Sequence, residues 1–377
     1  DMSLDEKIIT ADFCVVGGGM AGVFAAITAA RLGVKTVLIH ERPVFGGNAS
    51  SEIRMWICGA QQRLYREGGL QEELDLENYY FNPSKNWYLF DSVIYGAVMR
   101  EKNLMAFLNC TCYDAHCDGK KIKSVAAYQM TTQTIIKVKA KYFADCSGDS
   151  VLAPLSGANF MYGRESAAEY GEYVIQSHEN GDNKTMGNSV LIQARNVGRK
   201  VDFVAPDWAE KVSVEKLKYK RVNLKSPGEN FWYIELGGND DVVRNAETIN
   251  KRLLALCLGV WNTIKNSGEF DADNYDLEFL GFLPAKRESR RMKGDYVLTA
   301  NDILSGGKFE DTVAYGGWGL DDHNPDGFDG KEGNHYQNVD EVYGIPYRCL
   351  YSENVENLFF AGRNISATHM ATSSARV

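Results

Sequence analysis

The sequence has no long tract of one charge, no CxxC pair, no internal repeat and no low-complexity linker. Each absence argues against a class of function. Nucleic-acid binding needs a basic face, and the net charge here is −9. The same balance disfavours docking on an anionic membrane. Without zinc-type spacing, the eight cysteines do not form a metal set. In a chain of 377 residues they do not read as a disulfide framework either. Cys110 and Cys112 lie two apart on a strand-like run and face the same side, with Cys117 close behind. They read as small buried hydrophobes, and no metal site is expected. One stretch, Phe13 to Ala30, nearly reaches membrane-spanning length. Gly17, Gly18 and Gly19 interrupt it, so no membrane span is expected. No basic segment precedes it, which makes it a poor signal peptide. The chain opens at Asp1 rather than Met. A cleaved leader therefore stays open, and with it the compartment, the cytoplasm being slightly favoured over the periplasm or secretion.

What is present is a large apolar fraction, 44% of residues, enough for two or three domains. Thr10–Val16 reads as a strand, Met20–Leu32 as an Ala-rich helix and Lys35–His40 as a second strand. Tight connections make this a β–turn–α–β unit of a parallel sheet. A helical stretch follows from Gly69 to Lys102. Strands from Leu104 to Tyr142 read as an antiparallel meander that leads back into the parallel sheet. Ile249, Leu253, Leu256, Val260 and Ile264 recur at helical spacing and predict a core-facing helix over Ala246–Ile264. Leu320 to Asn334 reads as a loop rich in Asp and Gly. From Pro346 the chain returns to strand and closes on NLFFAGRNISATHMATSSARV.

The strongest motif is VVGGGMAG. Gly17, Gly19 and Gly22 satisfy G-x-G-x-x-G directly after a strand and at the start of a helix. The first glycine permits a tight turn, the second lets backbone approach a pyrophosphate, and the third lets helix and strand pack closely. The helix N-terminus then offers N–H groups and partial positive charge to phosphates. Glu41 ends the second strand, where an acid accepts hydrogen bonds from an adenosine ribose. Gly46 and Gly47 follow, a second backbone approach that suits FAD, with its long ribityl–flavin arm. Two further strands end at glycines, Gly148 and Gly362. The pattern occurs only once, which argues against a second nucleotide domain.

On these residues the chain resembles FAD-dependent oxidoreductases with a glutathione-reductase-type nucleotide domain. More narrowly it is similar to a bacterial FAD-dependent oxidoreductase family of mostly unassigned substrate, some members of which are labelled putative xanthan lyase. The carriers are VVGGGMAG, ERPVFGGNASSEIRMW, ADCSGDSVLAPLSGA, MYGRESAAEYGE, KRESRRMKGDYVLTANDI, GGWGLDDHNP and the closing segment. The resemblance implies an α/β fold. Its core would be a glutathione-reductase-type FAD/NAD(P)-binding Rossmann-like domain with a β-meander, over residues 1–160, with a helical excursion at about 50–103. An inserted mixed α+β substrate domain would cover 161–345. The FAD domain would return at 346–377, with its final helix cut short. FAD would be lined by Gly17, Gly19, Met20, Ala21, Gly22, Glu41, Arg42, Gly46, Gly47, Asn48, Ser147, Gly148, Asp149, Gly362 and Arg363. In such folds the last helix aims its N-terminus at the flavin and steadies the charge of the reduced ring. No histidine neighbours Gly46–Gly47, so the FAD is expected to be non-covalent. Cys58 is the one nucleophile near enough for a thioether.

For the chemistry, the resemblance places His369 beside the flavin as a base or hydrogen-bond donor, since imidazole titrates near working pH. The alternative is a polar residue at a helix start. His323 follows Asp322, but adjacent side chains on an extended chain point apart, so Asp321 is an equal partner; a solvated acidic loop is the alternative. Lys286, Arg287, Arg290 and Arg291 form a basic cluster. It suits an anionic substrate or, equally simply, a set of ion pairs with Glu288 and other acids. Asp322, Asn324, Asp326 and Gly327 nearly match a calcium loop, but position 333 is Gly where the pattern needs Glu. Three readings follow. The first is a dehydrogenase or oxidase that moves hydride from a polar small molecule (a sugar, uronate or hydroxy acid) to flavin, with His369 or His323 taking the proton and Arg291 assisting. The 20 Tyr and 6 Trp fit sugar stacking. The second is a flavin monooxygenase or C=C reductase of the same fold. The third is an FAD-binding scaffold without turnover. The oligomeric state is left open.

Overall fold

A computed structural model describes residues 4–60, 67–174, 178–225 and 231–377. The run read as one strand at the N-terminus is two. β1 (Asp5–Thr10) and β2 (Phe13–Val16) belong to different sheets. The chain crosses between them at Ala11 and Asp12, whose N–H groups bond to Lys139 and Lys35 carbonyls respectively. The charged residue Asp12, ion-paired with Lys141, marks the crossing.

β2, α1 (Met20–Arg31) and β3 (Thr36–Ile39) form the expected unit. α2 (Gly69–Phe81) and α3 (Trp87–Met99) precede β4 (Leu104–Phe107). β5 (Cys110–Asp118), β6 (Lys121–Gln129) and β7 (Thr134–Lys139) form the antiparallel meander, with β1 added parallel to β7. β8 (Tyr142–Asp145) returns to the main sheet. That sheet is parallel throughout, in the order last strand (Leu358–Phe360), β8, β2, β3, β4. Both faces are covered, which is why its strands read as unbroken apolar runs. Alternate residues take opposite sides. Cys14, Val16, Val37, Ile39, Phe143 and Phe360 pack on the meander, while Val15, Leu38 and Ala144 pack on α1 and α3 beside Val23, Ile27 and Ile94. Cys110 and Cys112 lie in the meander core with Cys14, and burial pushes the Cys110 and Cys112 thiols up to about 12.

Much of the chain between Val190 and Leu280 is built around the helix Ala246–Asn266. All five predicted positions are buried, with Cys257 and Trp261 beside them, against Val190, Ile192, Ile234 and Phe328. Small antiparallel pairs flank it: Ile192–Asn196 with Tyr275–Leu280, and Asn188–Ser189 between Glu235–Leu236 and Ala285–Lys286. The segment expected to be an open loop begins as a strand. Leu320–Asp322 pairs with His335–Gln337, and Leu320 anchors it in a core with Tyr343, Ala367 and Met370. Tyr343–Pro346 pairs with Thr312–Gly316, and the chain rejoins the parallel sheet only at Leu358. The last helix is His369–Ala375. Among the described residues no helix is long and apolar enough to cross a membrane.

Candidate active site

Because β2, β8 and the last strand are parallel neighbours, their C-terminal tips lie side by side, each ending near a glycine. Two glycines of the first turn are required by the protein itself. Gly17 adopts φ +105°, and a Cβ there would sit 2.3 Å from the Cys146 carbonyl. A Cβ on Gly22 would lie 1.8 Å from the Gly17 oxygen, so α1 packs flush on the strand end. Gly19 is different. Its Cβ would meet nothing nearer than 3.9 Å. Packing does not demand a bare residue there, and the open space leaves room for the close approach of a ligand. The space lies before the α1 N-terminus, which no side chain caps and no acid occupies in its first turn. The second loop lies directly on the first. The Gly46 N–H donates to the Gly18 oxygen at 2.9 Å, and a Gly47 Cβ would stand 3.1 Å from Gly19 Cα. Gly362 abuts Ala21 of the same helix start. The result is a groove walled by bare backbone at a helix N-terminus, with Met20 and Ala21 in the first turn. Such a groove fits a pyrophosphate. Glu41, with 61% of its side chain exposed, stands just past β3, with the Arg42 Nε 3.8 Å away.

His40, which the sequence offered only as a strand end, is built into this groove. Its Nδ1 accepts the Gly18 N–H at 2.9 Å, and its ring stacks on Phe45. Burial, reinforced by Arg42, pushes its pKa down to about 4. Asp145 is equally hidden. It accepts the Ser147 N–H and hydroxyl and the Leu152 N–H, shaping the turn after β8. Burial raises its pKa.

Asp149 pairs with Lys286 at 2.5 Å and with Arg363 at 2.9 Å, and accepts the Ser289 hydroxyl. Arg363 also donates to the Gly148 carbonyl, and Asn48 to the Lys286 carbonyl. Burial works to raise the Asp149 pKa, but Arg363 and Lys286 outweigh it and hold the carboxyl below its usual range. Of the residues expected along FAD, Gly148, Asp149 and Arg363 are joined here, with Asn48 beside them through Lys286. Asp149 and Arg363 face each other and form a wall.

The three residues expected to be catalytic lie in buried charge networks. His369 is 1% exposed. Its Nδ1 meets Glu288 at 2.8 Å and its Nε2 meets Asp322 at 3.0 Å. Arg291, fully buried, bonds Glu288 and Glu165 and donates to the Ala367 and Gly163 carbonyls. His323 meets Glu235 at 2.6 Å, with Asp321 at 3.6 Å and Arg287 beyond Glu235. Asp322 and His323 do point apart. Burial by itself lowers the His369 pKa; Glu288 and Asp322 overcome it and carry it up to about 10. The imidazole is therefore a clamped cation, not a base poised near neutrality. The basic cluster resolves into ion pairs: Lys286, Arg287 and Arg291 each have a carboxylate partner. Arg290 donates to the Asp149 carbonyl and lies over Phe160. The last helix differs from expectation at its start. The Thr368 hydroxyl accepts the Ala371 N–H, and Glu165 accepts that of His369, so those two groups are already satisfied.

The near-calcium loop is used otherwise. Asp322 is turned to His369, and Asp326 accepts from Asn239. The Cys58 thiol is pushed up to about 11, chiefly by burial. That makes it a poor nucleophile. A polar cleft of about 150 Å³ opens at Asp322, bounded also by Arg164, Lys184, Asn324, Asp326, Glu332 and His335. Sequence reasoning named Glu288 only as an alternative ion-pair partner of the basic cluster, and it missed Glu165, Glu235 and Glu172, which accepts the Thr368 hydroxyl. Glu165 and Glu172 stand in MYGRESAAEYGE, a stretch that carried the resemblance without a role. The segment 286–292 joins the two regions, with Lys286 at the glycine groove and Glu288 and Arg291 at His369.

A profile of the family described as FAD dependent oxidoreductase matches residues 12–377. No curated protein matches the chain. Solved structures similar to it include L-proline dehydrogenase from P. horikoshii (17% identity, 44% of this chain and 26% of that one, TM-score 0.26). A geranylgeranyl bacteriochlorophyll reductase-like protein from Thermoplasma acidophilum is 16% identical over 54% of this chain and 52% of that one, with TM-score 0.31. The glycerol-3-phosphate dehydrogenase from Bacillus halodurans complexed with FAD is 14% identical over 52% and 43%, with TM-score 0.31. The chain thus spans between about a quarter and a half of their lengths.

Proposed function

Because the chain belongs to the FAD dependent oxidoreductase family, we propose that it removes a hydride from a carbon bearing a hydroxyl on a sugar or similar polyhydroxylated molecule. FAD, when bound, supplies the hydride acceptor. Gly17, Gly19, Gly22, Gly46 and Gly47 would hold its pyrophosphate, and Glu41 its ribose. The substrate would occupy the cleft at Asp322, whose mix of carboxylates, Asn324, Lys184 and His335 suits hydroxyl groups. Asp322 is the group that would meet the substrate hydroxyl and take its proton. His369 and Glu288 would act as positioning residues that fix the Asp322 carboxylate and balance its charge.

One observation carries this reading. Asp322 both borders the open cleft and holds the buried His369, which is tied through Glu288 to the segment bordering the glycine groove. The test is anaerobic reduction of the protein-bound flavin by a panel of sugars, uronates and hydroxy acids. Bleaching by sugars, lost in Asp322→Asn while flavin stays bound, is the expected outcome. Bleaching by NADPH and by no member of the panel would refute it in favour of a monooxygenase or reductase.

A further inference from the structure

We propose that His178, Asp322 and His369 form a site for one divalent transition-metal ion of the zinc, iron(II) or manganese(II) class, open to the polar cleft. Each offers one ligand atom, and the three atoms lie within 4.8 Å of one another. The His369 Nε2 and an Asp322 oxygen are 3.0 Å apart. Two ligands held ~2.1 Å from one ion at tetrahedral angles stand roughly 3.4 Å apart, so this pair needs only a small adjustment to share one. His178 supplies an independent observation. Its Nε2 is buried and has no hydrogen-bond partner among the described residues. An orphaned buried nitrogen is costly, and an ion would satisfy it. His178 lies outside any regular element and is half-buried, so it is the ligand able to close the last distance.

The surroundings match a metal centre in two further respects. Glu288 binds Nδ1 of His369 at 2.8 Å, the outer-sphere carboxylate that orients a ligating imidazole and leaves Nε2 facing the ion. The ion would take the place of the proton that Glu288 and Asp322 hold on His369. Once that imidazole is neutral, Glu165, Glu288 and Asp322 contribute −3 and Arg291 +1, a net −2 that a divalent cation cancels. The neighbouring Arg164 is already paired with Asp182. Two nitrogens and one oxygen favour a borderline ion over calcium, which takes six to eight oxygens. Three protein ligands leave coordination positions open, and the cleft at Asp322 supplies both the entry path and a place for a substrate hydroxyl. A hydroxyl bound there would lose its proton more readily. The inference rests on the proposed reading of the cleft for the ion's role, not for its binding.

The test is titration of the chelator-treated, flavin-loaded chain with Co²⁺, followed by visible absorption and metal content. We expect one equivalent bound, with d–d bands, and at least a tenfold loss of affinity in both His178→Ala and Asp322→Asn. Circular dichroism and retained flavin show that each variant is folded. Absence of stoichiometric binding, or unchanged binding in a folded His178→Ala, would overturn the site. Flavin reduction by sugars is scored separately. Bound Co²⁺ without reduction refutes the proposed substrate class and leaves the ion site standing; reduction without metal does the reverse.

Discussion

Acidification should loosen the first glycine loop over a range set by His40. The neutral ring accepts the Gly18 N–H through Nδ1; a protonated Nδ1 could not. Burial and then Arg42 hold the folded pKa at about 4, against an ordinary 6.5. Between these values the unfolded chain binds a proton that the folded chain refuses. Stability contributed by neutral His40 is therefore intact above pH 6.5, falls as the pH drops towards 4, and falls no further below that. Each pKa unit corresponds to ~1.4 kcal/mol, so the interval from 6.5 to about 4 amounts to roughly 3 kcal/mol in all and about 2 kcal/mol by pH 5. The assay is urea unfolding at pH 7.5 and pH 5, for the wild type and for His40→Asn, whose Oδ1 keeps an acceptor without titrating. The wild type should lose about 2 kcal/mol more than the variant. Equal losses would refute the assignment, because every other titrating group is common to both proteins.

The glycine groove predicts opposite behaviour for two neighbouring substitutions. Gly19→Ala should melt with the wild type but lose FAD affinity, since its Cβ meets only the ligand's space. Gly22→Ala should destabilise the fold itself, since its Cβ would lie 1.8 Å from the Gly17 oxygen. Spectral titration with FAD and thermal melts separate the two, and wild-type affinity in Gly19→Ala would remove the groove as a pyrophosphate site. Arg291→Ala should cost about 3–5 kcal/mol in denaturant unfolding, because Glu288 and Glu165 would stay buried without their shared partner.

The sequence by itself determined what depends on neighbours along the chain. The turn VVGGGMAG, the helix predicted over Ala246–Ile264 and the antiparallel meander follow from backbone sterics and hydrophobic pattern. These act over a few residues, and all three are present in the structure. The sequence also brought His369, His323 and Arg291 to notice, but not what each of them does. Only the tertiary structure decided that, because the partners are far apart in the chain. Glu288 lies 81 positions from His369 and Asp322 lies 47, while Glu235 lies 88 from His323. Whether a charged side chain is a free base, a surface ion pair or a clamped cation depends on its distance to opposite charge and on the water excluded around both. Neither is written in a local pattern. Packing distant segments against one another made Glu165, Glu235 and Glu288 part of the site and turned an apparent basic cluster into paired charges.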